Sequence, residues 1–206
     1  RRVEPDERRA QIVEAAFREF GEKGFDAARL DDVARRAGIA KGTIYLHFTD
    51  KTALFRDVLV HVITRRIEAL EAEPHLADPR ADFVRVVRAF WDYLCTDEFP
   101  VMHRLAMSVL PRFPDLAQFF HENAGGRMRR ILATHIDAMV RAGHWRDADP
   151  MEAASMLQRL LLQTATFRTI PGGWDAIRIT DAEHALDRIL VFLEAAMRPD
   201  TAPTHG

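Results

Sequence analysis

The sequence has little of what marks a secreted or membrane-bound protein. Its 206 residues contain one cysteine, Cys95, which excludes an intrachain disulfide framework and favours a reducing compartment. No apolar run approaches the roughly 20 residues that a membrane-spanning helix needs. The opening stretch RRVEPDERR has no apolar core after it, so it does not resemble a signal peptide. These absences predict a soluble, cytoplasmic protein without a membrane partner.

The chain also lacks a large excess of charge of either sign. It has 29 Lys and Arg against 31 Asp and Glu, and its net charge is −2. Such a total does not identify a partner, because a basic face can be hidden within a balanced sum. Apolar residues make up 48% and charged residues 29%, which is ordinary for a folded protein. The length suits one fairly large domain or two small ones that share a core.

The alternation of a β-strand is not convincing in any segment, whereas helical periodicity recurs along the whole chain. The pattern predicts an all-α protein of about nine helices. Asp50 and Asp149 are expected to be helix N-caps, and Thr180 to Glu183 form a capping box before the last helix. The stretch EAEPHLADPR, with two prolines and several charges, predicts a boundary between modules.

Two short helices separated by Gly38 predict a helix-turn-helix. Glycine can adopt the left-handed backbone that such a turn requires at little cost. Four apolar side chains are expected to face inward: Val33, Ile39, Ile44 and Phe48. Helix pairs of this shape also occur as plain structural corners, so spacing alone leaves DNA binding and a purely structural role equally open.

The second short helix is expected to present a polar, donor-bearing face to solvent. This face comprises Lys41, Gly42, Thr43, Tyr45 and His47. Residues 35–51 hold four basic residues against one acidic residue, although the chain as a whole is acidic. Lysines and backbone amides bind phosphates, and a slim helix fits the major groove of DNA. His47 could instead cap the helix or pack against its neighbours.

Residues 20–55, FGEKGFDAARLDDVARRAGIAKGTIYLHFTDKTALF, resemble the DNA-binding domain of the TetR family of bacterial transcriptional regulators. The similarity extends over roughly residues 8–60. It implies a homodimeric, all-helical regulator with a DNA-binding domain at residues 1–50 and a ligand-binding and dimerisation domain at residues 51–206. Carried over from the family, the DNA contacts fall on Arg29, Lys41, Gly42, Thr43, Tyr45, His47 and Lys51.

Two positions depart from the pattern of the family. Arg29 stands where a threonine or serine usually caps the first short helix, and Ala40 stands where serine is common. Further along, PRFPDL, the helix after GGR and the DPMEAA helix start resemble the C-terminal domain of AcrR- and AefR-like members. The resemblance implies a repressor or an activator. We expect a repressor that binds a palindromic DNA operator and is released by a small, lipophilic effector.

The C-terminal half is rich in large, soft side chains that could line a ligand pocket. For any one of these side chains taken alone, core packing is the better explanation. The candidate ligand-binding residues are Phe90, Trp91, Met107, His121 and Met128. His103, His121 and His135 are possible polar groups, but no pair has a metal-ligand spacing within a helix. Neither a metal nor any other cofactor is therefore predicted.

The last two predicted helices are apolar over more than half of their circumference, which predicts burial on two sides. A four-helix bundle between two subunits would provide that burial, and a core position in a monomer is the alternative. The candidate interface residues are Leu157, Leu160, Leu161, Leu186, Ile189, Leu190 and Leu193.

Two other classes of function compete with a regulator. An all-helical enzyme is not indicated, because the sequence contains no HExxH, GxSxG or Walker motif. A carrier of small molecules or lipids would not need the basic residues Lys41 and Lys51 on and beside a slim helix. Both comparisons favour the DNA-binding regulator.

Overall fold

The computed structural model describes residues 5–168 and 182–199, and all regular secondary structure in these ranges is helical. The α-helices are α1 (Pro5–Ala27), α2 (Leu30–Arg36), α3 (Lys41–His47), α4 (Lys51–Ala72), α5 (Pro79–Leu94), α6 (Glu98–Val109), α7 (Pro114–Phe120), α8 (Gly126–Arg141), α9 (Pro150–Arg168) and α10 (Ala182–Ala196). A 3-10 turn, Leu110–Arg112, follows α6, and a π turn, His121–Gly125, joins α7 to α8. The prediction of an all-α fold is confirmed. No helix in the described ranges is both long and apolar enough to cross a membrane.

Helix boundaries follow the signals in the sequence. The Asp50 carboxylate accepts a hydrogen bond from the backbone N–H of Ala53 at 2.8 Å, and Asp149 caps α9 in the same way through Met151 at 2.7 Å. Asp78 caps α5, whose first residue is a proline. The predicted capping box begins at Thr180, outside the described residues.

The chain packs into two compact units. Unit 1 comprises Arg1–Glu68 and Val101–Gly125, and unit 2 comprises Ala69–Pro100 and Gly126–Gly206, each within the described residues. These units differ from the predicted domains at 1–50 and 51–206, because most of α4, most of α6 and all of α7 contribute to unit 1. The first 50 residues alone would form a very small core, which such added helices enlarge. The division into functional domains at residue 50 stays a prediction.

The core of unit 1 is built around an aromatic cluster. Phe20, Phe25 and Phe55 have ring centroids 5.1–5.7 Å apart, and Phe20 and Phe55 are fully buried. Four residues of α6 join the same core: Met102, Leu105, Ala106 and Val109. Helices α1 to α4 and α6 therefore bury their apolar faces against one another.

Helix α6 crosses α1 very closely at Gly21. A Cβ atom at this position would lie 2.8 Å from Cγ1 of Val101. Arg104 Nη2 donates to the Gly21 carbonyl at 3.2 Å, and beyond α6 the Arg112 guanidinium donates to both Asp26 carboxylate oxygens at 2.7 and 2.9 Å. Helix α1 and the segment 101–112 are thus joined by packing and by polar contacts.

Unit 2 is a helical assembly in which α8 packs against α5 and α9. Phe83 and Trp145 meet edge to face at 4.8 Å, and Leu132 and Ile136 of α8 are fully buried. The Trp91 indole N–H donates to the carbonyl of Ala182 at 3.0 Å, which connects α5 to the start of α10.

Candidate nucleic-acid interface

The turn between α2 and α3 has the predicted helix-turn-helix geometry. Gly38 has φ +66°, a left-handed conformation that side-chain-bearing residues rarely adopt. The backbone N–H of Ile39 donates to the Ala34 carbonyl at 3.0 Å, so the chain reverses within one hydrogen-bonded turn. The expected role of Gly38 is confirmed.

Apolar side chains fix α3 against the rest of unit 1. Val33 and Ile44 are fully buried, Phe48 is 3% exposed and Ile39 packs half-buried against the same core. This burial determines which side of α3 remains available to a partner.

Helix α1 also holds the end of α2 by a direct hydrogen bond. The Gln11 side-chain amide donates to the carbonyl of Ala37 at 2.8 Å, at the point where α2 ends. A helix C-terminus otherwise leaves carbonyl groups without partners. This bond therefore fixes the exit of α2 and, with it, the direction in which the turn begins.

Ion pairs add a second set of contacts between α1 and α2. Lys23 lies 2.9 Å from the Asp32 carboxylate, and Arg36 contacts Glu22 and the buried carboxylate of Glu19. The hydrogen bond with Asp32 raises the pKa of Lys23, and the same bond lowers the pKa of Asp32. The hydrogen bond from Arg36 likewise lowers the pKa of Glu22. Charged contacts therefore fix the position of α2 beside α1.

The outward face of α3 carries the residues that the sequence predicted. Lys41 and Gly42 are exposed, Tyr45 is 51% exposed, and Thr43 and His47 are partly exposed. Arg29 is exposed just before α2, and neither it nor Ala40 makes a side-chain capping hydrogen bond. The structure thus brings the predicted residues of α3 together on one exposed helix, with Arg29 at the start of the preceding one.

Leu46 is the residue of α3 that sequence reasoning missed. It is 83% exposed, which makes it the most exposed large apolar side chain among the described residues. Its neighbours Tyr45 and His47 were predicted as DNA contacts because they carry hydrogen-bonding groups, which leucine lacks. An exposed leucine on this helix could contact the methyl group of thymine, an apolar feature of the major groove.

Gly42 is not required by the packing of the protein itself. A Cβ atom at this position would have no neighbour within 4 Å, in contrast to the close contact at Gly21. Glycine weakens a helix by roughly 0.8–1 kcal/mol relative to alanine. A partner that approaches the backbone closely would explain a glycine here.

Lys41 is paired within the protein. Its ammonium lies 2.7 Å from Oδ1 and 3.1 Å from Oδ2 of Asp31, and both side chains are more than half exposed. The hydrogen bond to Asp31 raises the pKa of Lys41. A phosphate would have to displace this exposed carboxylate or bind beside it.

Lys51 has a larger structural role than the sequence indicated. Its ammonium donates to the carbonyls of Asp26 and Ala28 at 3.0 and 3.2 Å and lies 4.7 Å from the ring centre of Phe25. These contacts anchor the start of α4 to the segment between α1 and α2. An ammonium has three donors, so one remains for a phosphate.

The linear count of basic residues around α3 overstated the free positive charge. Arg35 lies 2.8 Å from Asp32, and Lys41 is paired with Asp31. These acidic partners belong to the start of α2 and lie outside the counted window of residues 35–51. The positive side chains of this surface are therefore largely balanced by carboxylates that the fold places beside them.

The five candidate ligand-binding residues do not fall within one unit. Phe90, Trp91 and Met128 are buried in unit 2, whereas Met107 and His121 are exposed in unit 1. A hollow of about 300 Å³ between α1 and α4 is lined by none of them. The ligand site stays a prediction.

The candidate dimer residues separate into two groups. Leu157, Leu161, Leu186 and Ile189 are buried within the protomer. Leu160 is 38% exposed, and Leu190 and Leu193 are partly exposed.

The other faces of α9 and α10 carry exposed apolar side chains that the candidate set did not include. Met156 is 59% exposed, Val191 is 70% exposed and Phe192 is 65% exposed. The expectation that these helices are apolar on two sides agrees with this arrangement. One stripe packs inside unit 2, and the other faces outward.

Comparison with known proteins agrees with this geometry. The family profile described as "Bacterial regulatory proteins, tetR family" matches residues 12–58. The profile described as "AefR-like transcriptional repressor, C-terminal domain" matches residues 81–196, which is more than half of the chain. Both matches overlap the regions that carried the resemblance in the sequence.

Individual relatives show the same pattern. The HTH-type transcriptional activator FasR of Mycolicibacterium smegmatis is 34% identical over 94 residues, which are 45% of this chain and 43% of FasR. The chain thus spans less than half the length of this relative. The structure of a TetR-family transcriptional regulator from Mesorhizobium loti MAFF303099 has a TM-score of 0.80 at 24% identity and covers 96% of this chain and 100% of the other. The structure of the flavonoid-responsive regulator FrrA has a TM-score of 0.69 at 25% identity, with coverages of 95% and 100%.

Proposed function

Since the chain belongs to the TetR family of bacterial regulatory proteins, we propose that it represses transcription as a homodimer on a palindromic operator and is released by a small lipophilic effector. Its relatives are transcriptional regulators, so it is not an enzyme. The observation that carries the proposal is the exposed face of α3, held on a buried helix-turn-helix core. Binding an operator also requires the protein to be in the cytoplasm, where bacterial DNA lies.

The proposed DNA contacts are of two kinds. Arg29, Lys41 and Lys51 are proposed to contact phosphates, which contribute affinity and register. Thr43, Leu46 and His47 are candidates for contacts with base edges. Gly42 allows the backbone of α3 to approach the DNA closely.

Tyr45 offers a sharp test of a single phosphate contact. Its ring is half exposed on α3 and its hydroxyl can donate to a phosphate oxygen. Tyr45→Phe removes only that hydroxyl, so DNA affinity is expected to fall while the thermal midpoint of unfolding stays unchanged. Equal affinity for Tyr45→Phe and the unmodified protein, measured by fluorescence anisotropy, would remove the hydroxyl from the interface.

The proposed dimer is supported by the exposed apolar faces of α9 and α10. Covering an exposed apolar side chain such as Phe192 with a second copy of the chain would stabilise the dimer, because apolar surface is removed from water. A two-fold dimer presents two equivalent copies of α3, the proposed recognition helix, which accounts for a palindromic operator. Analytical ultracentrifugation at micromolar concentration is expected to give a dimer.

The proposed effector is supported by the chemistry of α5 and α8 and by one relative. Phe90, Trp91 and Met128 form part of an apolar, adaptable interior in unit 2. FrrA, which shares the fold, is named for its response to a flavonoid. By analogy, an apolar molecule that enters unit 2 would favour the conformation with lower DNA affinity.

A coupling of about 1.4 kcal/mol between effector and operator would change DNA affinity tenfold. The effector test therefore begins with compounds that raise the thermal midpoint and then measures operator affinity in their presence. Met128→Ala removes bulk at a predicted contact inside unit 2 and is compared with the unmodified protein. If stabilising compounds bind while operator affinity never changes, the release mechanism is refuted.

The direction of regulation needs its own measurement. The C-terminal family is described as repressors, whereas FasR is named an activator. A reporter gene behind the selected operator is expected to be expressed less when the protein is present. Increased expression would identify an activator instead.

The experiment that tests the core of the proposal is selection of binding sites from random DNA duplexes. The purified full chain is expected to enrich one motif with two-fold symmetry, with half-sites about one helical turn apart. Enrichment of a single unpaired half-site would contradict the dimeric mode. Absence of any enrichment, together with uptake of lipids, would favour a carrier.

A further inference from the structure

Unit 2 contains a cluster of three side chains that DNA binding does not use. His75 lies between α4 and α5, Asp82 lies in the first turn of α5, and His135 lies in α8. One nitrogen or oxygen atom of each lies within 4.8 Å of the corresponding atoms of the other two. The three residues are distant in the sequence, and the fold brings them together.

His135 is buried, and its ring orientation is determined by the backbone. It is 6% exposed, and its Nδ1 lies 2.8 Å from the carbonyl oxygen of Ile131. Because a carbonyl can only accept, Nδ1 carries the hydrogen, and Nε2 is the nitrogen whose lone pair can hold a proton or a metal ion. Nε2 is buried and makes no hydrogen bond within the described structure.

The lone pair of His135 faces a carboxylate. Nε2 lies 3.3 Å from Oδ2 of Asp82, a residue that is 4% exposed. Two buried acceptors at this distance repel each other unless a proton or a metal cation lies between them. This arrangement is the observation that points to a ligand.

The other oxygen of Asp82 is already occupied. Arg85 donates to Oδ1 through Nη2 at 2.7 Å and Nε at 3.1 Å, and this leaves Oδ2 directed at the histidines. These two hydrogen bonds from Arg85 therefore fix the orientation of the carboxylate.

His75 completes the cluster from the solvent side. Its Nδ1 lies 2.8 Å from Oδ2 of Asp82, and its side chain is 69% exposed. The two imidazole rings are 5.1 Å apart between centroids. An ion could therefore enter past His75 without opening the core.

We propose that His75, Asp82 and His135 bind one divalent transition-metal ion of the zinc class, with water completing the coordination. Two imidazole nitrogens and one carboxylate oxygen form a recurrent donor set for such ions. The carbonyl of Ile131 behind His135 and the guanidinium of Arg85 behind Asp82 are the kinds of outer partner that orient metal ligands. The site is separate from the DNA-binding surface and does not depend on the proposed function.

The observed distances are compatible with coordination after a small movement. Metal–ligand bonds of about 2.0–2.2 Å place tetrahedral ligand atoms roughly 3.3–3.6 Å apart. The separation between His135 and Asp82 already lies in this range, and the exposed ring of His75 has room to move away from Asp82. The charge of Arg85 does not prevent binding, because Arg85 is also paired with Glu73.

The test uses the full chain without an affinity tag, treated with EDTA and then dialysed. Zn²⁺ is titrated at neutral pH in competition with a chromophoric chelator, and Co²⁺ serves as a spectroscopic probe. We expect one equivalent of Zn²⁺ to bind and Co²⁺ to show the visible absorption of a four- or five-coordinate site. Zn²⁺ should also raise the thermal midpoint of unfolding.

His75→Ala is the decisive variant, because His75 is mostly exposed and its loss should leave the fold intact. Loss of a residue that only orients a metal ligand typically lowers affinity by roughly 10–100-fold. Because His75 is proposed as a direct ligand, we expect its loss to lower Zn²⁺ affinity by at least that much. His144→Ala is the matched control, since His144 is an exposed histidine of the same unit outside the cluster. This control should bind Zn²⁺ as the unmodified chain does.

Two results would overturn the proposal. The first is no stoichiometric Zn²⁺ binding by the unmodified chain, which would assign a proton rather than a metal to the gap between His135 and Asp82. The second is equal affinity for the unmodified chain and His75→Ala, with circular dichroism confirming that both are folded. Neither result depends on whether the protein binds DNA.

Discussion

Helices α3 and α10 both expose large side chains, but the two surfaces differ in chemistry. On α3, Tyr45 and Leu46 stand beside Lys41 and a glycine, so apolar, polar and charged groups are mixed. On α10, Val191 and Phe192 are adjacent and apolar. A mixed surface suits a charged, hydrated partner, whereas an apolar one suits a partner that excludes water. The composition of an exposed face, more than its exposure, therefore distinguishes the proposed DNA surface from the proposed dimer surface.

The largest expected effect comes from placing a charge on the α10 face. Phe192→Glu should convert the dimer to a monomer, because a carboxylate cannot be buried without a partner. Losing the second recognition helix should weaken operator binding by about 10²–10⁴-fold. Sedimentation and DNA anisotropy would measure the two effects together.

The control for this variant is Ala142→Glu, which adds the same charge to an exposed position just after α8. It should remain dimeric and bind DNA normally. A dimeric Phe192→Glu protein with full operator affinity would show that α10 is not the interface.

A comparison of two lysines distinguishes direct DNA contact from support of the fold. Lys41→Ala should reduce the salt dependence of binding by about one unit of log–log slope without changing the thermal midpoint. Lys51→Ala should also lower the thermal midpoint, because the carbonyls of Asp26 and Ala28 lose their donor. An unchanged midpoint for Lys51→Ala would indicate that those two hydrogen bonds contribute little to stability.

Alanine substitutions at two glycines of unit 1 are expected to change the free energy of unfolding in opposite directions, by smaller amounts. Gly21→Ala should destabilise the protein by about 1–2 kcal/mol, since overpacking against Val101 outweighs the gain in helix propensity. Gly42→Ala should stabilise it by up to about 1 kcal/mol and weaken DNA binding. Urea unfolding and anisotropy would measure these effects. Full DNA affinity in Gly42→Ala would exclude a close backbone approach at that position.

The smallest expected effect concerns the ion pairs between α1 and α2. The pKa of Asp32 is lower in the folded protein than its ordinary 3.8, so its contribution to stability is present above that pH and is lost as the pH falls through the lowered value. Asp32→Asn should remove this acid-sensitive component from stability curves measured below pH 4. Asp147→Asn, at an exposed position in the loop between α8 and α9, should leave this acid-sensitive component of stability unchanged.

Local features of the sequence predicted the DNA-binding module well. Gly38 forms a local turn, and the cap residues Asp50 and Asp149 bind backbone amides only two or three residues further along the chain. The effects of all three can therefore be inferred from the neighbouring sequence. The spacing of Val33, Ile44 and Phe48 likewise identified the buried side of the helix-turn-helix. These are short-range consequences of backbone geometry and helical periodicity.

Features that depend on distant residues were not predictable in this way. A linear window could not show that Asp31 and Asp32 neutralise the basic residues beside α3. Periodicity showed that α9 and α10 are apolar on several sides but not which leucines the protomer itself buries. The cluster of His75, Asp82 and His135 joins three separate segments, and a search for metal ligands within one helix cannot find it.

The close crossing at Gly21 affects how unit 1 can move. Because Val101 packs tightly at Gly21, and because Arg104 and Arg112 donate hydrogen bonds to α1, the segment 101–112 cannot slide along α1 without breaking several contacts. A push on this segment would therefore turn α1 with it. Hydrogen bonds from Gln11 to Ala37 and from Arg36 to Glu19 connect the helix-turn-helix to α1. We therefore expect α2 and α3 to move together with α1 as a rigid body. Segment 101–112, α1 and the helix-turn-helix are thus connected by an unbroken series of contacts within unit 1.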